Sequence, residues 1–208
     1  MNSATPADIR GFLTAQQQAQ PEHLLSYFNP PITNTRPAKT VELAELWDEI
    51  TSEQHRPLTE RLRTTTDPTE RKKLKAGLPF VTPVGCFNYP RRDADLIAPS
   101  GLVVLDFDKV PSVREARAAL PADEVIGDDV MLMFTSPTGN GVKAFLRTDP
   151  DGDYLTNFRI YADYLSSKYP VLGLVADESG KNLARLCFIP YDPTAYLHPS
   201  YTSAWITQ

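Results

Sequence analysis

The rhythm of apolar and polar positions changes along this chain, and the changes mark its elements. Residues 6–20 read as a first helix, ending in the polar run Gln16–Gln20. The proline-rich stretch from Asn29 to Lys39 reads as a loop. Val41, Leu43, Leu46, Trp47 and Ile50 recur at helical spacing, with Thr40 placed to cap a helix running to about Ser52. Asp67-Pro68-Thr69-Glu70 is a third helix start: a capping side chain, a proline in the first turn and an acid three residues on. That helix carries Arg71, Lys72, Lys73 and Lys75 and stops near Gly77-Leu78-Pro79. Phe80 to Phe87 reads as extended chain broken by Pro83 and Gly85.

From Gly101 onward the pattern tightens. Leu102-Val103-Val104-Leu105 runs into Asp106-Phe107-Asp108, which predicts a buried strand over 102–106. Ser112 and Glu115 form a capping box that opens a short helix to about Leu120. Strands are expected at 130–135 and 142–147, joined by the turn from Ser136 to Gly141. A helix from about Asp153 to Lys168 carries Tyr154, Phe158, Tyr161 and Leu165 at helical spacing, a stripe that belongs to a core. An apolar stretch at 171–176, Asp177, a polar turn and a strand at 184–190 complete the order β-α-β-β-α-β. This is the split βαβ arrangement. The expected fold class is α+β: an RRM-like or ferredoxin-like antiparallel sheet over residues 79–208, with a mainly helical N-terminal lobe over residues 1–78, the two forming one compact unit.

Totals bound the picture without changing it. A chain of 208 residues with 41% hydrophobic content can bury one substantial core plus a helical appendage. No apolar run approaches the length of a membrane span, and the first residues lack the basic and apolar regions of a secretory signal, so the expected location is cytoplasmic. Cys86 and Cys187 then read as reduced thiols, and His23, His55 and His198 are too scattered for a zinc cluster. The net charge of −5 argues against a dedicated nucleic-acid coat protein. Charge is uneven, however. Arg56, Arg61, Arg63, Arg71, Lys72, Lys73 and Lys75 outnumber Glu60, Asp67 and Glu70 within one segment. Lys72, Lys73, Lys75, Arg91 and Arg92 are candidates for a path along a nucleic-acid backbone, with Phe87 and Tyr89 able to stack on bases. An ordinary solvated helix face would look the same.

The chemistry starts at Asp106 and Asp108. Side chains at i and i+2 of a strand share a face, so the strand delivers two carboxylates side by side. Like charges so placed resist ionising together, and a divalent cation relieves them. The turn contributes Ser136, Thr138, Gly139, Asn140 and Gly141, whose backbone N–H groups suit an anion-binding nest, and Lys143 adds a cation. Walker spacing is absent, and an ordinary hairpin would need no ligand. Asp177 follows an apolar run as Asp106 does, and Arg185 lies eight residues on. A loop acid and a surface ion-pair partner are the plainer readings of those two. Taken together, three carboxylates (Asp106, Asp108 and Asp177), a nest and the cations Lys143 and Arg185 make the set that metal-dependent phosphoryl chemistry uses, with Mg²⁺ or Mn²⁺ as the ion.

These blocks also carry a resemblance. Leu105-Asp106-Phe107-Asp108, the stretch from Ser136 to Lys143, Asp177, and the stretch from Ala184 to Pro193 resemble the VirE-type N-terminal domain, a branch of the archaeo-eukaryotic primase superfamily. The leader from Arg71 to Phe87 resembles it too, so the likeness covers roughly residues 40–195. The resemblance implies a primase palm that joins nucleoside triphosphates on a single-stranded DNA template with a divalent metal. It also implies a helicase or further primase segment as partner. It assigns Asp106 and Asp108 to the first acidic motif and Asp177 to the third. The second motif normally ends in a histidine that touches the nucleotide's phosphates; Lys143 stands there. Two other readings are open: a catalytically decayed nucleic-acid-binding or replication-initiation module, and, more remotely, an aspartyl-phosphate phosphatase with Asp106 as nucleophile.

Overall fold

A computed structural model describes residues 23–148 and 153–202. The helix expected over 6–20 lies outside them. The described chain is a mixed α+β fold built on three antiparallel sheets.

The first sheet joins β1 (Leu25–Phe28), β2 (Lys39–Val41), β3 (Phe80–Thr82) and β9 (Cys187–Phe188) in the order β2-β1-β3-β9. It draws strands from both sides of residue 78. Its outer side is covered by α2 (Arg56–Thr64) and α3 (Pro68–Ala76), where Leu62, Leu74 and Leu78 pack with Phe28, Phe80 and Phe188. Asp67 caps α3 as its sequence requires, accepting from the Glu70 N–H at 2.7 Å. The second sheet runs β10 (Tyr196–Leu197), β7 (Val130–Thr135), β8 (Val142–Arg147), β6 (Leu102–Phe107). A two-stranded ribbon pairs β4 (Gly85–Phe87) with β5 (Leu96–Pro99).

Strand β6 is apolar on both faces because both are covered. Val103, Leu105 and Phe107 face a core completed by α4 (Val113–Ala119) and α5 (Tyr154–Lys168), including Ala116, Phe158 and Leu165. Leu102 and Val104 face the other way, into a core shared with Leu25, Val81 and Cys187 of the first sheet and with Leu43, Leu46 and Ile50 of α1 (Leu43–Thr51). Period-two alternation therefore sends Asp106 to the side of the first sheet and its helices. That single consequence positions the site.

Two expectations are corrected. Thr40 does not cap a helix: it lies in β2, paired with Ser26, and α1 starts later with Glu42 as its cap. The β-branched residues Thr40 and Val41 follow the strand beside them, and Glu42 and Glu45 supply a reciprocal capping box. The strand expected over 184–190 forms only at Cys187–Phe188, and it pairs with β3 rather than with β6. A turn bonding Arg185 N to Asn182 O precedes it, and Pro190, which has no N–H, follows. At the β6 edge an isolated bridge joins Phe107 to Ala176 instead.

Candidate metal and phosphate site

The register of β6 against β8 sets Asp106 directly opposite Lys143. Both side chains lie on the same face, as cross-strand partners must, and Lys143 Nζ bonds Asp106 Oδ2. Lys143 is 6% exposed. Burial alone would push its pKa down. The Cys187 sulfur, Asp106 and Asp108 reverse this and hold the value above its ordinary one. Burial raises the Cys187 thiol to about 11, so that sulfur is uncharged near neutral pH. There the carboxylates keep Lys143 charged.

Asp177 arrives from a distant loop. The Phe107–Ala176 bridge carries it in, and its N–H donates to Asp106 O at 2.8 Å. Tyr154, at the start of α5, pins the following turn by donating to Gly180 O at 2.6 Å. The Asp177 carboxylate accepts from Ser179 Oγ at 2.6 Å, from Ser179 N at 2.9 Å and from Arg185 at 3.2 Å. The Ser179 hydrogen bonds, with Arg185 and Lys143 behind them, hold its pKa below the usual value against burial.

One oxygen each from Asp106, Asp108 and Asp177 lie within 4.8 Å of one another. Asp106 Oδ1 is buried and has no hydrogen-bond partner among the described residues. A buried carboxylate oxygen without a donor is costly, and an all-oxygen donor set suits a hard divalent cation. The three residues fit such an ion.

The turn between β7 and β8 closes over this end of β6. Gly141 sits where a Cβ would come 2.5 Å from Phe107 O, so only glycine allows the approach. Asn140 O accepts from Val110 N at 3.1 Å, tying the chain beyond Asp108 to the turn. Gly139 is left-handed, with φ of 84°, a conformation that L side chains resist. Ser136 Oγ and Thr138 Oγ1 lie 3.1 Å apart, and Thr138 donates to Asn140 Oδ1 at 2.8 Å. The N–H groups of Thr138 and Asn140 find no acceptor among the described residues.

The basic residues separate into groups. Lys72 and Lys73 are exposed on α3. Lys75 turns inward: burial and repulsion from Lys143 lower its pKa, while Asp106 and Asp108 act in the opposite sense. Arg91 is half-buried over the rings of Phe28 and Phe80 and donates to Ala184 O. Arg92 is paired with Asp95 at 2.6 Å. Phe87 is buried and presents no ring to a base, whereas Tyr89 is 59% exposed, with Arg36 over it at 4.7 Å. Sequence reasoning did not select Arg63. Its stem lies against Gly139, and it donates to Ser136 O at 3.3 Å. Its only sequence signal was membership of a basic segment.

Residues 73–197 match the family described as the BT4734-like, N-terminal domain, which is more than half of the chain. The chain belongs to that family. The BT4734-like N-terminal domain is related to the VirE N-terminal domains of primase-like proteins. Its matched span contains the acidic triad, the turn and Lys143, and leaves Arg63 outside. No curated protein and no solved structure matches the chain.

Proposed function

We propose that this protein is a metal-dependent nucleotidyltransferase of primase-polymerase type, joining nucleoside triphosphates on a single-stranded DNA template. The observation that carries the reading is the convergence of one carboxylate oxygen each from Asp106, Asp108 and Asp177, with a buried, unpartnered oxygen on Asp106 and Lys143 beside it. A bound Mg²⁺ or Mn²⁺ would activate the attacking oxygen and offset charge on the phosphates. Lys143 is a fixed cation where a phosphate group needs one, and Ser136, Thr138, Gly139, Asn140 and Gly141 frame it. Arg185 holds Asp177 in place. The exposed Lys72 and Lys73 are proposed to follow the template backbone; Arg91 and Arg92, already engaged, have less to offer it. The expected partners are template, nucleotides and a helicase or further primase segment, and the expected compartment is cytoplasmic. No helix among the described residues is long and apolar enough to cross a membrane.

The test is nucleotide incorporation on single-stranded DNA with Mg²⁺ or Mn²⁺. Wild type should extend or initiate a strand and Asp106→Ala should not. If wild type incorporates nothing with either ion, the catalytic reading fails.

One observation favours a second reading, a decayed nucleic-acid-binding module. Lys143 already compensates Asp106, so the site carries part of its counter-charge internally. Salt-sensitive DNA binding that survives loss of all three acids would support this alternative. The phosphatase reading gains nothing, because every strand pair among the described residues is antiparallel and that chemistry uses a parallel sheet.

A further inference from the structure

Two cations from the helices over the first sheet stand beside the site without a salt-bridge partner among the described residues. Arg63 lies along Gly139: a Cβ there would sit 3.3 Å from Arg63 Cδ and Cγ. One guanidinium nitrogen reaches Ser136 O at 3.3 Å, and Nε is buried with no hydrogen-bond partner among the described residues. Lys75, on the neighbouring helix, is close enough to Lys143, Asp106 and Asp108 to feel their charges. Its ammonium lies 5.3 Å over the Phe188 ring. Neither residue has a salt bridge among the described residues. Acids act on both from a distance, Asp192 and Glu60 on Arg63 and Asp106 and Asp108 on Lys75, yet burial outweighs them; a partly buried cation with no directly paired anion is relieved by a ligand that supplies one. The same turn offers the N–H groups of Thr138 and Asn140, which have no acceptor among the described residues, and the left-handed Gly139, the geometry of an anion nest.

We propose that Arg63 and Lys75 close over the 136–141 turn to grip an oligophosphate chain, so that the helical segment supplies half of the phosphate site. The inference rests on the nucleotidyl-transfer reading only for what carries the phosphates. Arg63 is its specific element: it lies outside the family's matched span, and its planar fork can take two phosphate oxygens at once. Lys75 is a point charge that adds affinity with less geometry.

The test is calorimetric titration of the full chain with inorganic triphosphate in EDTA, with Mn²⁺ binding measured separately by electron paramagnetic resonance. Wild type should bind triphosphate without metal. Arg63→Gln should weaken it roughly tenfold, the loss of one charge-assisted contact, with Mn²⁺ binding unchanged. Arg63→Lys should recover part of the loss. Should Arg63→Gln melt several degrees lower, Lys75→Gln decides instead, with a roughly threefold loss expected from removing one point charge. Unchanged triphosphate affinity in Arg63→Gln, or in Lys75→Gln where that variant decides, overturns the proposal. Absence of metal-free triphosphate binding in wild type overturns it too, and leaves the acidic site untouched if Mn²⁺ still binds. Triphosphate binding without Mn²⁺ binding would support this inference while removing the metal-dependent one.

Discussion

The buried pairs Asp192–Arg117 and Asp106–Lys143 differ in a way that separates architecture from site. Asp192 pairs with Arg117 at 3.1 Å, and every other lone pair it presents is used. It accepts from Thr135 N at 2.7 Å, Thr194 Oγ1 at 2.7 Å and Thr194 N at 3.0 Å. It ties the end of β7 to the chain leading into β10. Asp106 pairs with Lys143 through one oxygen and leaves the other buried and bare. A carboxylate saturated by fixed donors holds a structure together. One that keeps an unpartnered oxygen and lies beside two further acids is arranged to receive something.

The largest expected effect is on activity. Asp106→Asn should cut nucleotide incorporation about 1000-fold, the loss of roughly 4 kcal/mol of charge stabilisation. Asp192→Asn should leave the rate per folded molecule within about twofold, well under 1 kcal/mol. Equal losses in primer-extension assays would erase the distinction.

Stability sharpens it next. Removing one partner of a buried pair costs about 3 kcal/mol, so Asp192→Ala and Lys143→Met should both melt lower than wild type. Saturating Mn²⁺ should recover much of the Lys143→Met loss, because the ion replaces the missing charge. It should do nothing particular for Asp192→Ala. A melting-temperature gain with Mn²⁺ that is no larger in Lys143→Met than in wild type would break the comparison.

Acid should reveal the structural pair. Burial pushes Asp192 up, but the Thr135 N–H, the Thr194 hydroxyl, Arg117 and the Thr194 N–H outweigh it and hold its pKa below the ordinary value. The unfolded chain then binds the extra proton, so stability from Asp192 is complete above about pH 4 and lost as pH falls through the folded value. The melting difference between wild type and Asp192→Asn should shrink as pH falls below about 4. A difference that stays constant over that range would count against this assignment. The smallest effect belongs to Arg92→Ala, whose exposed pair with Asp95 should leave the chemical-denaturation midpoint almost unmoved.

Much of the core was legible because its signals are local. Strands 130–135 and 142–147, and the helix capped by Asp153, stand where the pattern placed them. Thr40 and residues 184–190 were misread because strand identity there depends on a partner far away: Ser26 for Thr40, and β3 for Cys187 and Phe188. The acids at 106 and 108 announced themselves through i, i+2 spacing at the end of an apolar run. Arg63 was invisible, since nothing in a basic segment says which of its residues faces a turn 73 positions later.

The sequence by itself determined that β6 must be buried on both faces and must end in two acids on one side, that a glycine-rich turn must join β7 to β8, and that the family's ordered blocks are present. Those follow from period, turn chemistry and spacing. Only the tertiary structure decided that Lys143 lies across from Asp106, that Asp177 arrives through Ala176, that β9 leaves for the other sheet, and that Arg63 and Lys75 face the site from the helices. Each of these depends on register and packing between segments distant in sequence. Such contacts form only once the hydrophobic faces have chosen their partners.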